Sequence, residues 1–270
     1  MGRTALRLGA RWRLKQTCGS KCLTIRAGLP WLILLQLASQ SAAQENSAKL
    51  IDRFSGQLSV TNNGISLIPS FSLGDPAAIL DLSMGRGKFS FEPEMRFALD
   101  GKPWSFIFWF RYSALKTKKF SFRIGAHPAL NFKTIEIAAD DGSTREIIST
   151  RRFLAGELSS GYSIGRDTSI GLYYLYARGF EEEVTRNTHF VRFNGSLAIH
   201  LTERLSLGIV PQVYYLKADD RDGFYTAAFL TLARRDLPLS LSAIFSRAIE
   251  TDVIPNEGLV WNVSLVYSFH

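Results

Sequence analysis

Gly258–His270, GLVWNVSLVYSFH, carries the clearest fold signal in the sequence. Apolar and aromatic residues occupy every second position from Leu259 to Phe269, and the positions between them are mostly polar. Period-two alternation predicts a β-strand, because successive side chains of a strand point to opposite faces. Aromatic residues stand near both ends of the apolar face, where a membrane-spanning strand meets the two membrane–water interfaces. A face strand of a soluble β-sandwich would alternate in the same way, so this stretch alone leaves both folds open.

The first 43 residues have the organisation of a secretory signal peptide. They include seven basic residues and no acidic one. An apolar run at 29–38 follows the basic residues, and small residues precede Gln44. This order predicts export and cleavage before Gln44. Cys18 and Cys22, the two cysteines of the chain, lie in this segment. The mature chain is therefore predicted to have no disulfide and no cysteine ligand.

The formal net charge of +8 belongs mostly to the same segment. Removing its seven basic residues from the 32 of the whole chain leaves 25 against 24 acidic residues, a net charge of +1. A near-neutral chain offers no basic surface to a phosphate backbone. We therefore expect no nucleic-acid partner.

The remaining chain divides into a short polar segment and a long alternating one. Residues 44–63 are predicted to form a periplasmic lead-in, and from Gly64 to His270 alternating segments recur between turn residues. If the chain starts in the periplasm, connections on that side are short and most on the other side are longer, as in outer-membrane barrels. Twelve strands are predicted, at 64–73, 78–84, 88–99, 103–113, 118–130, 151–164, 168–179, 188–201, 203–216, 223–233, 236–247 and 258–269.

These features together resemble a Gram-negative outer-membrane β-barrel protein. The resemblance covers roughly Gly64–His270 and rests on pattern: the signal segment, the alternating strands, the absence of cysteine after residue 43 and the aromatic last strand. It implies an all-β fold, a closed antiparallel up-and-down transmembrane β-barrel of about 12 strands in the cell outer membrane. Outer-membrane lipid, lipopolysaccharide and the barrel assembly machinery are the implied partners. The implied C-terminal assembly signal comprises Trp261, Leu265, Tyr267 and Phe269.

Eight charged residues take the polar parity of their predicted strands and are expected to face the barrel lumen. Glu92 or Glu94 is expected to reach Arg111 or Arg96, because opposite charges on neighbouring strands attract each other. Two interpretations stay open: a salt-bridge network that plugs the barrel, or a constriction that selects solutes by charge. The eight residues are Asp81, Glu92, Glu94, Arg96, Arg111, Arg123, Glu157 and Arg192.

The sequence offers no convincing catalytic group. Gly161–Gly165 matches the G-x-S-x-G pattern, but the serine is predicted to end a strand before a turn, whereas the chemistry needs a strand-to-helix elbow. His189 or His200 with Ser196 is the nearest pair for lipid hydrolysis, but Ser196 and His200 take the lumen parity. No residues show metal-ligand spacing, so neither a cofactor nor a metal is expected.

The predicted function is that of a passive outer-membrane barrel: a small pore for small solutes, or a structural or surface barrel, in either case without catalysis. The alternatives are a lipid-active barrel enzyme (a phospholipase or a lipid A modifying enzyme) and a secreted soluble β-sandwich. Acidic clusters at 181–183 and 219–222 are predicted in outside loops, where they solvate the loop or bridge divalent cations to lipopolysaccharide. The longest connection, 131–149, either folds inward or stays outside.

Overall fold

The computed structural model describes residues 51–68, 71–138, 144–254 and 258–270, so the predicted signal peptide lies outside the described residues. The described chain forms twelve antiparallel strands that close into one barrel, with the first strand paired to the last. This confirms the predicted barrel and rules out the β-sandwich. The strands are β1 (Arg53–Thr61), β2 (Ala77–Arg86), β3 (Phe89–Ala98), β4 (Pro103–Lys116), β5 (Phe120–Ala138), β6 (Thr144–Ser163), β7 (Thr168–Gly179), β8 (Asn187–His200), β9 (Leu205–Ala218), β10 (Arg221–Arg234), β11 (Leu239–Thr251) and β12 (Leu259–Phe269).

The barrel begins at Arg53, so the boundary predicted at Gly64 is wrong. β1 lies within the predicted periplasmic lead-in and pairs with both β2 and β12. Gly56 interrupts the apolar face of β1, which hides its alternation in the sequence. In the barrel, the Phe269 ring of β12 lies across Gly56, where a Cβ atom would collide with the ring. The glycine therefore allows the last strand to close tightly on the first.

Residues 64–68 and 71–73, part of the strand predicted at 64–73, belong instead to the connection between β1 and β2. Leu73 N donates to Gly64 O (2.8 Å) and Gly64 N donates to Asp75 O (2.7 Å), which folds the connection back on itself. Its apolar residues alternate with serines as in a strand, but Leu67 and Ile68 pack against buried side chains inside the barrel. We call the described residues of this connection, 62–68 and 71–76, the inner loop.

The longest predicted connection, 131–149, is mostly strand. β5 and β6 pair as far as Ala138 and Thr144, whereas their other neighbours pair with them only to Asn131 and Phe153. The two strands therefore extend past the barrel rim as a two-stranded hairpin. The described part of this hairpin does not fold into the barrel, and the segment that does so is the inner loop.

The outer wall of the barrel is covered with large apolar side chains. β12 is typical: Trp261, Leu265 and Tyr267 are exposed on the outside, while Asn262 and Ser264 are buried on the inside. A continuous apolar surface of this kind is rare on soluble monomers and suits a lipid environment. The predicted assembly-signal residues therefore lie on the outer face of the closing strand.

No helix in the described part of the chain is long and apolar enough to cross a membrane.

The two barrel ends differ. The end where β1 begins and β12 stops, here called the terminal end, has short turns such as 87–88 and 201–204. The opposite end, here called the loop end, carries the inner loop and the β5–β6 hairpin. This asymmetry matches that predicted from connection lengths.

Candidate functional site

The barrel interior contains all eight charged residues predicted to face the lumen. Seven of them line two interior cavities, and Glu157 is buried beside Arg111. They lie on β2 to β8, whose lumen faces we call the charged wall. The lumen faces of β9 to β12 and β1 form the neutral wall, because the residues they contribute to the central cavity carry no charge: Gln57, Ser59, Phe229, Ser242, Ile244, Asn262 and Ser264.

Arg111 is the centre of the charged wall. Its Nε donates to Glu157 Oε1 (2.6 Å), and its Nη1 pairs with Glu92. Its guanidinium also lies 4.1 Å from the Trp109 ring centroid. Tyr173 Oη donates to the second oxygen of Glu157 (2.8 Å). The Glu157 side chain is fully buried, and a charge there is tolerated because both of its oxygens accept hydrogen bonds.

The Arg111–Glu157 ion pair crosses over β5 at a glycine. Arg111 lies opposite Gly125 on β5, and Gly125 lies opposite Glu157 on β6. A Cβ atom at Gly125 would stand 2.8 Å from Glu157 Oε1 and 3.0 Å from Arg111 Cγ. The absence of a side chain at Gly125 therefore leaves room for the two charged groups to meet.

A second charged group lies on β2 and β3. Glu94 pairs with Arg96 on the same strand, and the Arg96 guanidinium lies 5.0 Å from the Trp104 ring centroid. Asp81, opposite Glu94 in the β2–β3 register, accepts a hydrogen bond from Gln57 Nε2 (2.8 Å). The Glu92–Arg111 and Glu94–Arg96 pairs are therefore both present, as the strand parity indicated.

Arg123 and Arg192 differ from the other two arginines of the wall. Within the described residues, neither has an ion-pair partner, although both line the central cavity. The Arg192 guanidinium lies 4.8 Å from the Tyr173 ring centroid, and its buried Nε has no hydrogen-bond partner among the described residues. These two guanidiniums are the cationic groups that the wall leaves open to the lumen.

Two cavities adjoin along the lumen. The central cavity has a volume of about 570 Å³ and reaches Ile65 and Phe71 of the inner loop. The terminal cavity, about 370 Å³, reaches Ser268 and His270 at the terminal end. Both are lined by the same five residues where they meet: Gln57, Asp81, Glu94, Trp109 and Arg111. The two cavities therefore adjoin at a junction of mostly charged and polar residues, between the terminal end and the inner loop.

The inner loop lies against the central cavity at the loop end. Leu67 and Ile68 pack on a buried apolar cluster that includes Leu216, and the Phe71 and Phe153 rings meet edge to face at 5.0 Å. Trp104 Nε1 of the charged wall donates to the Phe71 carbonyl oxygen (2.7 Å). The sequence predicts a strand here because Ile65–Leu73 alternates like one. Pro69 is the signal against a strand, because proline has no backbone N–H to donate to a neighbouring strand.

The residues considered for catalysis do not form a catalytic group. His189 lies on the outer face of β8, where its Nδ1 is 3.0 Å from Tyr174 Oη, whereas Ser196 and His200 follow the lumen parity. His200 stands near Asp167 at the terminal end, with 3.5 Å between Nε2 and Oδ1. Ser163 ends β6 before a bend, with no helix after it.

Among the described residues, no group of three or more His, Cys, Asp or Glu side chains is placed to hold a metal. His127 is buried in the lumen against Trp109, with 3.9 Å between ring centroids.

The predicted acidic clusters brace the loops in which they lie. Glu181 accepts hydrogen bonds from the Arg152 backbone N (2.8 Å) and Nε (2.7 Å). Asp219 accepts from the backbone N of Arg186 (2.8 Å) and of Asn187 (2.7 Å). These carboxylates hold neighbouring connections together at the loop end.

No protein-family model matches the sequence, and no curated protein matches it. Among solved structures, the KdgM porin in complex with disordered oligogalacturonate is similar, with a TM-score of 0.51 and 14% identity over 80% of this chain and 99% of that one. The chain has the fold of outer-membrane β-barrel proteins. One fold can serve many activities, so the function has to be argued from the lumen.

Two further structures align over similar spans. The NanC porin gives a TM-score of 0.45 and 12% identity over 80% of this chain and 98% of that one. LpxR from Salmonella typhimurium gives a TM-score of 0.45 and 11% identity over 79% of this chain and 99% of that one.

Proposed function

We propose that this protein is a narrow outer-membrane channel for small polar solutes, with no catalytic role. The observation that carries the proposal is the pair of joined cavities between the charged and neutral walls. Large apolar side chains point outward, while seven charged side chains and several uncharged polar ones line the cavities between the walls, which is an arrangement that suits a water-filled pore. The surrounding outer-membrane lipid and lipopolysaccharide, and assembly through the last strand, belong to the same proposal.

The dimensions of the barrel support a channel. Barrel diameter grows with strand number, and barrels of about eight strands are just wide enough for side chains to fill the interior. Twelve strands leave more room than that, and the interior retains a central cavity of about 570 Å³ beside the ion pairs. The charged wall then narrows the path without filling it.

A structural barrel with a closed lumen is the second candidate, and one observation favours it. Arg111 on β4 pairs with both Glu92 on β3 and Glu157 on β6. The inner loop lies inside the barrel at the loop end. In that function the charges would stabilise the barrel and pass no solute. The inner loop is therefore the element whose position separates the two candidates.

Solute uptake by vesicles tests the proposal. The protein, expressed as the full chain in a Gram-negative host and purified from its outer membrane, is placed in vesicles with uncharged sugars of increasing size. We expect swelling with a pentose and much slower swelling with a disaccharide. Vesicles that contain folded protein and swell with neither sugar would contradict the channel. Recovery of the protein in the soluble fraction would contradict the outer-membrane location.

The paired variants Glu92→Gln and Glu94→Gln separate a channel lining from a structural network. In a channel, removing the two carboxylates shifts the reversal potential in a salt gradient toward anions, because the lumen loses negative charge. In a closed structural barrel the variants lower stability and leave no selectivity to measure. Asp236→Asn, which removes an exposed carboxylate paired with Arg234 in a turn at the terminal end, is the control for loss of negative charge outside the lumen.

A further inference from the structure

We propose that Arg123 and Arg192 form a lumenal binding site for a small solute that carries a carboxylate or phosphate group. The inference rests on the proposed channel for the route by which such a solute arrives. It names the class of solute that the open side of the charged wall recognises.

The two arginines lie on one row of the lumen. Arg123 is opposite Ser159, Ser159 is opposite Tyr173, and Tyr173 is opposite Arg192 in successive strand pairs. Three strand spacings separate the arginines, about 14 Å between their Cα atoms along the wall. Ser159 is small, and all four residues line the central cavity. Two long side chains can therefore converge over the serine on one solute.

Tyr173, which lies between Ser159 and Arg192 on this row, holds the Arg192 guanidinium in place. Tyr173 donates its hydroxyl hydrogen to Glu157, which fixes the phenol ring. The Arg192 guanidinium lies 4.8 Å from the centroid of that ring, within the range of a cation–π contact. A guanidinium oriented in this way loses less rotamer freedom when it binds an oxyanion. Its buried Nε also remains a donor with no partner in the part of the chain that the structure describes.

The charge balance of the wall leaves these two cations available. Arg96 is paired with Glu94, and Arg111 is shared by Glu92 and Glu157. Among the four acidic residues of the wall, Asp81 has no ion-pair partner in the described structure, and it is held by Gln57 on β1, remote from β8. Two like charges that line one cavity repel each other, and an oxyanion between them removes that repulsion.

The chemistry of the guanidinium selects the solute class. Its planar fork of donors matches the two oxygens of a carboxylate or phosphate, and such charge-assisted hydrogen bonds are stronger than neutral ones. The facing residues of the neutral wall, which include Ser242, Asn262 and Ser264, offer uncharged donors and acceptors to the rest of a polar solute. Neutral solutes of the same shape would lack the ionic contacts.

Calorimetric titration of the purified full-length protein in detergent tests the site directly. Succinate and inorganic phosphate are the probes, and succinamide, which has nearly the same shape as succinate and no charge, is the matched neutral control. We expect succinate or phosphate to bind and succinamide to bind at least tenfold more weakly. Arg123→Gln and Arg192→Gln should each weaken binding of the anion about tenfold or more.

Two control variants test whether weaker binding comes from loss of the fold or from the change in net charge. Arg123→Lys keeps the charge and should retain part of the affinity, and Arg235→Gln removes an exposed charge in a turn at the terminal end and should change nothing. Equal binding of succinate and succinamide, or anion binding that is unchanged in both Arg→Gln variants, would overturn the site. Failure of all ligands to bind to folded protein would also overturn it.

The two experiments test the binding site and the channel independently. If succinate binds in an arginine-dependent way while vesicles take up no sugar, the site stands and the channel is wrong. If sugars enter the vesicles and no anion binds, the channel stands and the site is wrong. The relative affinities of succinate and phosphate decide which oxyanion the site prefers.

Discussion

The two walls of the lumen share one strand geometry and hold together in different ways. On the charged wall, Arg111 connects Glu92, Glu157 and, through Glu157, Tyr173. On the neutral wall the contacts join uncharged groups: Tyr214 and Tyr225 stack at 4.8 Å, and Tyr214 Oη lies 3.3 Å from Ser246 Oγ. The charged wall is therefore held by an ionic network, whereas the neutral wall is held by uncharged contacts.

This difference determines how each wall responds to change. Removal of one member of a buried ionic network leaves its partners charged and poorly solvated, and this costs more than the loss of a single neutral hydrogen bond. The same network leaves Arg123 and Arg192 outside it, where they face the cavity. We expect the stability of the barrel to depend mainly on the paired charges and its solute preference mainly on the unpaired ones.

Glu157→Gln should have the largest effect on stability. The change removes the negative charge that pairs with Arg111 and weakens the acceptor of the Tyr173 hydrogen bond. We therefore expect a loss of about 3 kcal/mol in the free energy of unfolding. Urea unfolding of the protein in vesicles, followed by tryptophan fluorescence, measures it. A loss below about 1 kcal/mol would show that the charged wall is not a network. A double-mutant cycle with Tyr173→Phe measures their coupling.

Gly125→Ala should come next, because the added methyl group would enter the space where Arg111 and Glu157 meet. We expect a loss of about 2 kcal/mol, within the range for overpacked buried sites. Gly156→Ala is the matched control: it is one register position away on β6, and its Cβ would find no heavy atom closer than 3.9 Å. Equal effects of the two variants would mean that the glycine gap has no special role.

Trp104→Phe tests how firmly the charged wall holds the inner loop. The change removes the donor to the Phe71 carbonyl oxygen and keeps most of the buried ring. We expect a loss of about 1 kcal/mol, typical of one hydrogen bond, and faster proteolysis within the inner loop. Proteolysis at the rate of the unchanged protein would indicate that the neutral wall, through Asn262 Nδ2 and Asn63 O, anchors the loop by itself.

Ser246→Ala, on the neutral wall, should have the smallest effect. Its contact with Tyr214 is a single long hydrogen bond, so we expect a loss below about 1 kcal/mol by the same urea assay. A loss as large as that of Glu157→Gln would remove the distinction between the two walls.

The sequence predicts the repetitive part of this molecule well. Period-two alternation is enough to identify most strands and to place Glu92, Arg111 and Arg192 on one face, because strand geometry alone decides the parity. Strand neighbours in chain order then suggest the Glu92–Arg111 pair. The fold and the face of each charged residue are therefore local properties of the chain.

The parts that were missed depend on long-range packing. β1 was missed because Gly56 has no side chain, and its role becomes visible only when Phe269 closes the barrel over it. The Arg111–Glu157 pair skips a strand at Gly125, and that requires the register. The inner loop alternates like a strand, and only the interior space of the barrel decides that it turns inward.

Single-channel conductance in a planar bilayer tests the central claim, an aqueous path between two unlike walls, most directly. The protein purified from outer membranes should give discrete current steps that increase with salt concentration. The paired change Leu67→Ser and Ile68→Ser should increase the open time or the step size, because it weakens the packing of the inner loop. Insertion of both proteins without current steps would contradict the channel and favour a closed structural barrel.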